Sequence, residues 1–168
     1  MQGLHQSRLA TGKDEWLTPK EMLDVLGPFD LDPCSPTVRP WPTARLHFTI
    51  EDDGLTSPWP LGCSVWMNPP YGRATGTWLN KLANHAACEN GDGIALIFAR
   101  TETKMFFEYV WPLAHAILFI KGRIRFCDTQ GKPGAHAPAP SCLVAYGEKS
   151  IKRIMRYNSN LQHKVIIL

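Results

Sequence analysis

Four consecutive residues, Asn68-Pro69-Pro70-Tyr71, bring together a side-chain amide, two prolines and a phenol ring. The prolines fix φ and remove two backbone donors, so this turn is stiff and rich in carbonyl acceptors. Such a turn suits the grip of a planar ring that carries an NH₂ group. The Asn68 amide oxygen and the Pro69 carbonyl can each accept one hydrogen of that amine, while Tyr71 stacks on the ring. In adenine the exocyclic N6 is a weak nucleophile because its lone pair is delocalised. Two acceptors would draw the nitrogen toward tetrahedral geometry and free the pair for in-line attack on a methyl donor. Orientation and electrostatics can supply most of the rate, with no metal and no covalent enzyme intermediate. A base inside a duplex cannot reach such a pocket and must be flipped out, with aromatic stacking offsetting part of the unstacking cost.

A methyl donor needs its own seat. Asp32-Pro33 closes a short apolar segment, Phe29-Asp30-Leu31-Asp32, and Asp30 lies two residues earlier on the same face. Carboxylates at the C-terminal end of a strand in an open α/β sheet face the ligand crevice. Residues 1–60 carry 5 Lys/Arg against 9 Asp/Glu, a net −4, which makes them poor hosts for a phosphate-bearing dinucleotide. Neither a Gly-x-Gly-x-x-Gly run nor a phosphate-binding Gly-x-x-x-x-Gly-Lys loop is present. S-adenosylmethionine, with a sulfonium, an ammonium and ribose hydroxyls but no phosphate, fits this balance. Glu51, Asp52 or Asp53 would serve the ribose, and an ordinary Asp-Gly turn is the plainer role for Asp52 and Asp53.

The rest of the chain is of opposite charge. Residues 61–168 carry 13 Lys/Arg against 6 Asp/Glu, a net +7, and residues 121–156 alone hold 8 basic and 2 acidic residues. A polyanion is the natural partner of that half. Arg73, Arg123, Arg125 and Lys132 are the leading candidates for DNA backbone contact, joined by Lys121, Lys149, Lys152, Arg153 and Arg156. Gly122-Arg123-Ile124-Arg125-Phe126 alternates basic with apolar residues, so both arginines can share one strand face. The Gln130–Ser141 loop is either a sequence-reading element or a plain connection.

The elements that position these groups follow from periodicity. Thr18 and Glu21 form a capping-box pattern with Pro19 at the first helical position, so a short helix is predicted over 19–26, stopped by Gly27. Strands are predicted at 29–33, 45–50, 63–67, 94–99 and 116–120. Helices are predicted over 76–89, with Trp78, Leu79, Leu82 and Ala83 on one side, and over 103–112. Gly122–Phe126 and Cys142–Tyr146 read as two late strands joined by a long connection, a late antiparallel hairpin. The tail 148–168 reads as a further helix and an edge strand. Strands alternating with helices predict an α/β fold with a mainly parallel, doubly wound sheet.

The 168 residues are expected to form one domain, 1–168, with a loose arm over 1–13. No apolar run approaches a membrane span, and the polar N-terminus lacks a signal core, so an intracellular protein without membrane contact is expected. Five scattered cysteines form no Cys-x-x-Cys pair and six histidines show no ligand spacing, which argues against disulfides and against a metal.

An ordered set of motifs resembles the phage-type, or Dam-like, DNA N6-adenine methyltransferases. It runs through Trp16-Leu17-Thr18-Pro19, Phe29-Asp30-Leu31-Asp32-Pro33, Asp53-Gly54-Leu55 with Trp59, Trp66-Met67-Asn68-Pro69-Pro70-Tyr71, and Gly122-Arg123-Ile124 with Phe126. The resemblance spans about residues 14–147. It implies a Rossmann-like methyltransferase fold with a seven-stranded sheet, S-adenosylmethionine as donor, and DNA as substrate in a bacterial host cytoplasm. It implies cofactor contacts at Trp16, Thr18, Pro19, Asp30, Asp32, Pro33, Asp53 and Asn68, and catalysis by Asn68, Pro69, Pro70 and Tyr71. Where such enzymes place glycines after Asp-Pro, this chain reads Cys34-Ser35-Pro36, so the cofactor loop differs locally. Methylation of an RNA base or a protein glutamine amide through the same turn is a second reading. A non-catalytic DNA-binding module is a third. The oligomeric state is open between monomer and dimer.

Overall fold

A computed structural model describes residues 17–159 and 161–168; the expected arm over 1–13 and Trp16 lie outside these. In chain order the described residues form α1 (Lys20–Leu26), β1 (Leu31–Asp32), β2 (Leu46–His47), β3 (Ser64–Met67), α2 (Thr75–Cys88) and β4 (Asp92–Phe98). A π-helical turn, Phe106–Val110, leads to β5 (Ala116–Phe119), β6 (Arg125–Cys127), β7 (Pro133–His136), β8 (Ser141–Tyr146), α3 (Glu148–Asn158) and β9 (Lys164–Ile167).

Seven strands form one sheet in the order β2-β1-β3-β4-β8-β5-β9. Strands β2, β1, β3 and β4 pair in parallel, whereas β8 is antiparallel to both β4 and β5, and β9 is antiparallel to β5. Five strands therefore run one way and two the other, a mixed α/β sheet that is mostly parallel by direction. Its two faces bury separate apolar layers. Val65, Met67, Ala95 and Ile97 pack with Leu79 and Leu82 of α2 and with Phe106 and Val110. Trp66, Ile94, Leu96 and Leu143 pack with Met22, Leu23 and Leu26 of α1 and Ile154 of α3. Strand β4 is apolar at nearly every position because helices cover both of its faces.

Three expectations are corrected. The pairing of 122–126 with 142–146 does not form. All six residues of β8 are buried, so it lies inside the sheet between β4 and β5. The one-sided Arg123-Ile124-Arg125 pattern cannot be covered on both faces, and Arg125–Cys127 instead pairs with Pro133–His136 in a separate two-stranded ribbon. The Thr18–Glu21 capping box is also absent. Pro19 is the N-cap of α1, no side chain caps it, and the Thr18 hydroxyl oxygen is buried without a partner. A backbone bridge at Leu17, with N–H bonds of 3.0 and 2.8 Å exchanged with Cys127, turns Thr18 inward instead. The helix expected over 103–112 is shorter and ends in a π turn, where the Trp111 N–H donates to the Phe106 carbonyl at 2.9 Å.

Candidate active site

From β1 the chain goes outward to β2, then returns to β3 on the other side of β1 and continues to β4. That reversal opens a crevice beyond the carboxyl ends of β1 and β3, as it does in other open α/β sheets. A cavity of about 610 Å³ lies there. Its wall includes Thr18, Asp32, Pro33, Asp53, Asn68, Pro69, Pro70 and Tyr71. Eight of the residues expected from sequence thus meet at one place although up to 53 positions separate them in the chain. The volume lies within the roughly 300–1,000 Å³ typical of small-molecule sites.

Asp32 is 3% exposed at the end of β1. Its Oδ1 accepts from the Cys34 N–H at 3.2 Å, and its Oδ2 accepts from the Thr43 hydroxyl. Burial pushes its carboxyl up to about 6, against the opposing pull of Thr43 and of the Cys34 N–H. Asp30 does not reach the cavity. Its Oδ2 accepts from the Ser64 N–H at 2.9 Å and the Ser64 hydroxyl at 2.8 Å, so it fastens β1 to β3. Those bonds hold its carboxyl below the usual range, with Arg45 at 3.6 Å adding to the effect. Alternation along the segment does not place the two acids alike, because Ser64 captures the first. Pro19, the N-cap of α1, is likewise absent from the cavity wall.

Of the three acids at 51–53, Asp53 alone lines the cavity. Asp52 is committed to its own turn, its Oδ2 accepting from the Thr49 N–H at 2.7 Å and hydroxyl at 3.0 Å. The Asp53 turn is pressed against the Asp32 loop: a Cβ on Gly54 would sit 1.9 Å from the Pro33 carbonyl oxygen. Lys81 of α2 locks the turn from behind. Its Nζ donates to the carbonyls of Gly54, Leu55 and Ser57 at 3.0, 2.8 and 2.7 Å and lies 4.8 Å from the Trp59 ring centre. Trp59 Nε1 donates to the same Gly54 carbonyl at 2.9 Å.

The Asn68–Tyr71 turn follows β3 directly. Thr75, at the start of α2, ties it down: its Oγ1 accepts from the Gly72 N–H at 3.1 Å and donates to the Pro70 carbonyl at 2.9 Å. The Tyr71 ring stacks on Phe98, centroids 4.0 Å apart and planes 7° from parallel. Its hydroxyl donates to Asn68 Oδ1 at 3.3 Å, and burial raises the phenol above its ordinary range, so it stays protonated. That bond orients the amide oxygen within the turn.

Sequence reasoning missed Thr43, Thr75, Trp66 and Trp78 as neighbours of the site. Trp66 and Trp78 read as core, which they are, yet both also line the cavity. Thr43 sits in an aperiodic Pro-rich loop where no local pattern marks it. The basic residues divide. Arg73, Arg123, Arg125 and Lys132 are exposed. Arg153 and Arg156 donate to carbonyls of Val25, Leu26, Gly27 and Pro28 at the end of α1, at 2.6–3.4 Å. Among the described residues no helix is long and apolar enough to cross a membrane, and no group of three or more His, Cys, Asp or Glu could hold a metal ion.

A seven-stranded, mostly parallel sheet with helices on both faces and a cavity at its strand reversal is compatible with a methyltransferase fold. The model of the family described as DNA N-6-adenine-methyltransferase (Dam) matches residues 6–165, nearly the whole chain, and the chain belongs to that family. Membership implies DNA adenine N6-methyltransferase activity in general terms, and DNA as the substrate. No curated protein and no solved structure matches the chain.

Proposed function

We propose that this protein is a Rossmann-like, S-adenosylmethionine-dependent enzyme that methylates N6 of an adenine flipped out of DNA, and that it works in a bacterial cytoplasm. What supports the reading is the meeting of Asn68, Asp32 and the unpartnered Thr18 hydroxyl on one cavity wall. The donor set fits the cofactor. Asp32 and Asp53 offer carboxylates to hydroxyls or to a cation, and Thr18 offers an oxygen with no internal partner. Pro33 and Gly54 also line the cavity, in an approach so close that a Cβ on Gly54 would spoil it. When bound, S-adenosylmethionine supplies a methyl group activated by a sulfonium.

The protein's own task is to prepare the nucleophile. Asn68 Oδ1 and the Pro69 carbonyl accept the two N6 hydrogens, which localises the nitrogen lone pair. Tyr71 stacks on the base with the ring face not taken by Phe98, and its hydroxyl keeps the Asn68 oxygen pointed at the amine. Thr75 keeps the proline turn from relaxing when the base arrives. These are preorganised dipoles, which need no rearrangement at the moment of transfer.

The test is direct. Radiolabelled methyl donor is supplied with duplex DNA, single-stranded DNA, RNA and a protein extract, and the labelled atom is identified. Label on adenine N6 of DNA is expected. Label on an RNA base or on a glutamine amide would replace this reading with another use of the same turn.

A further inference from the structure

The β6–β7 ribbon forms a two-stranded sheet apart from the main one, with two unlike faces. One face is core: Ile124, Phe126 and Ala137 are buried in the layer that holds Phe29 and Trp66. The other face exposes Arg123, Arg125 and His136. The ribbon is fixed to the cavity rim at two points. Where β6 runs into its turn, Cys127 exchanges two backbone hydrogen bonds with Leu17, which lines the cavity. At its tip, Gly131 (φ 79°) approaches so closely that a Cβ would lie 2.7 Å from the Trp41 ring. Trp41 belongs to the Pro-rich loop whose Pro36, Thr37 and Thr43 line the same cavity.

The tip is ordered by its own acid. Asp128 Oδ1 accepts from the Gln130 and Lys132 N–H groups, both at 2.9 Å, so the only carboxylate on the ribbon serves the turn. Gln130 and Lys132 are exposed. The arginines are held in orientation without being used up: Arg125 Nε donates to the Gly134 carbonyl at 3.1 Å and Arg123 Nη1 to the Ala137 carbonyl at 3.3 Å. Each guanidinium has five N–H donors, so most remain. Arg153 and Arg156, by contrast, cap α1. Exposed, oriented cations are therefore held on a ribbon that is tied to the cavity rim.

We propose that the β6–β7 ribbon docks in the major groove of duplex DNA next to the target adenine, with Arg125 and Lys132 on phosphates and Gln130 at base edges. The inference rests on the DNA reading above. A two-stranded antiparallel ribbon fits a groove about 12 Å wide, and a glutamine amide pairs with adenine N6 and N7 there. Fixing the ribbon to the rim sets a constant offset between the base pair it reads and the base that enters the cavity.

The experiment uses the full chain, with melting temperature as the check that each variant is folded. For Arg125→Ala with Lys132→Ala, affinity for a fluorescent duplex is measured against salt. The slope of log K on log salt is expected to fall by about 2, about one per lost phosphate contact, with little change for a single-stranded oligonucleotide. For Gln130→Ala, labelled donor and a randomised duplex library are expected to give a wider set of methylated sequences. Equal losses on single and double strands would overturn groove docking. So would folded variants with an unchanged slope and an unchanged sequence set. If the wild-type protein methylates DNA and the variants match it, only the ribbon assignment fails. If the wild type transfers no methyl to any DNA, both readings fall.

Discussion

The Thr43 hydroxyl donates to Asp32 Oδ2 inside the cavity wall, joining two residues that no local pattern links. Asp32 ends the first strand, and Thr43 closes the Pro-rich loop that leaves it. This bond and the Cys34 N–H oppose the burial that raises the Asp32 carboxyl to about 6. The acid therefore stands near the boundary between its charged and neutral forms.

Its pH dependence has a definite sign. The folded value is raised above the ordinary 3.8, so Asp32's contribution to stability is fully present below pH 3.8 and is lost as pH rises toward about 6. The change is on the order of 2–3 kcal/mol for two pK units in a buried group. Cofactor affinity should run the other way, weakening as pH falls through about 6. Thr43→Val removes the largest opposing interaction and should move the binding midpoint to higher pH. Calorimetric titration with S-adenosylhomocysteine between pH 5 and 8 reads it, and an unmoved midpoint would separate Asp32 from cofactor binding.

His47 gives the opposite slope. Its Nε2 accepts from the Thr43 and Ala44 N–H groups at 3.2 and 3.3 Å, which requires that nitrogen to be unprotonated. Burial, and then Arg39, lowers its pKa from the ordinary 6.5. The stability it lends is present above pH 6.5 and is lost as pH falls through the lowered folded value. His47→Gln, whose amide oxygen accepts without titrating, should flatten the acid side of a melting-temperature profile. About 0.5–1.5 kcal/mol is expected for the bonds involved.

Asn68→Ala should abolish methyl transfer, by about 10²–10³ or more in kcat, because it removes an acceptor aimed at the reacting amine. Melting temperature should stay near wild type, and S-adenosylhomocysteine binding should fall far less than the rate. A variant that still methylates DNA at close to the wild-type rate would refute the proposed mechanism.

Gly54→Ala should cost stability and cofactor affinity together. The new Cβ would meet the Pro33 carbonyl at 1.9 Å, so one of the two loops must move. Overpacking of this kind costs about 1–3 kcal/mol. Denaturant unfolding gives the first quantity and calorimetry the second; loss of one without the other would show that the two loops are independent.

Arg153→Ala and Arg156→Ala should destabilise the fold by about 0.5–1.5 kcal/mol each, since each removes hydrogen bonds that tie α3 to the end of α1. Their effect on the salt dependence of DNA binding should be small. A fall in slope equal to that of the ribbon cations would restore them to the DNA surface.

The sequence alone determined the parts whose physics is local. The Asn-Pro-Pro-Tyr turn was legible because proline acts on its own backbone, and strands β3, β4 and β5 were legible because burial on both faces demands continuous apolar runs. Helix α2 was legible because its buried residues recur at helical spacing. What depended on distant partners was decided by the tertiary structure. Asp30 and Asp32 look equivalent in the chain, but Ser64, 34 residues away, takes one and the cavity keeps the other. Thr18 has the spacing of a helix cap, yet the bridge between Leu17 and Cys127 turns it into the cavity. Arg123 and Arg156 carry the same charge, but only folding shows that one donates to the Ala137 carbonyl beside its own ribbon while the other donates to three carbonyls at the end of α1. Residue type and spacing set what a side chain can do; which of its possible partners it meets is settled by contacts across the sheet, where sequence separation carries no information.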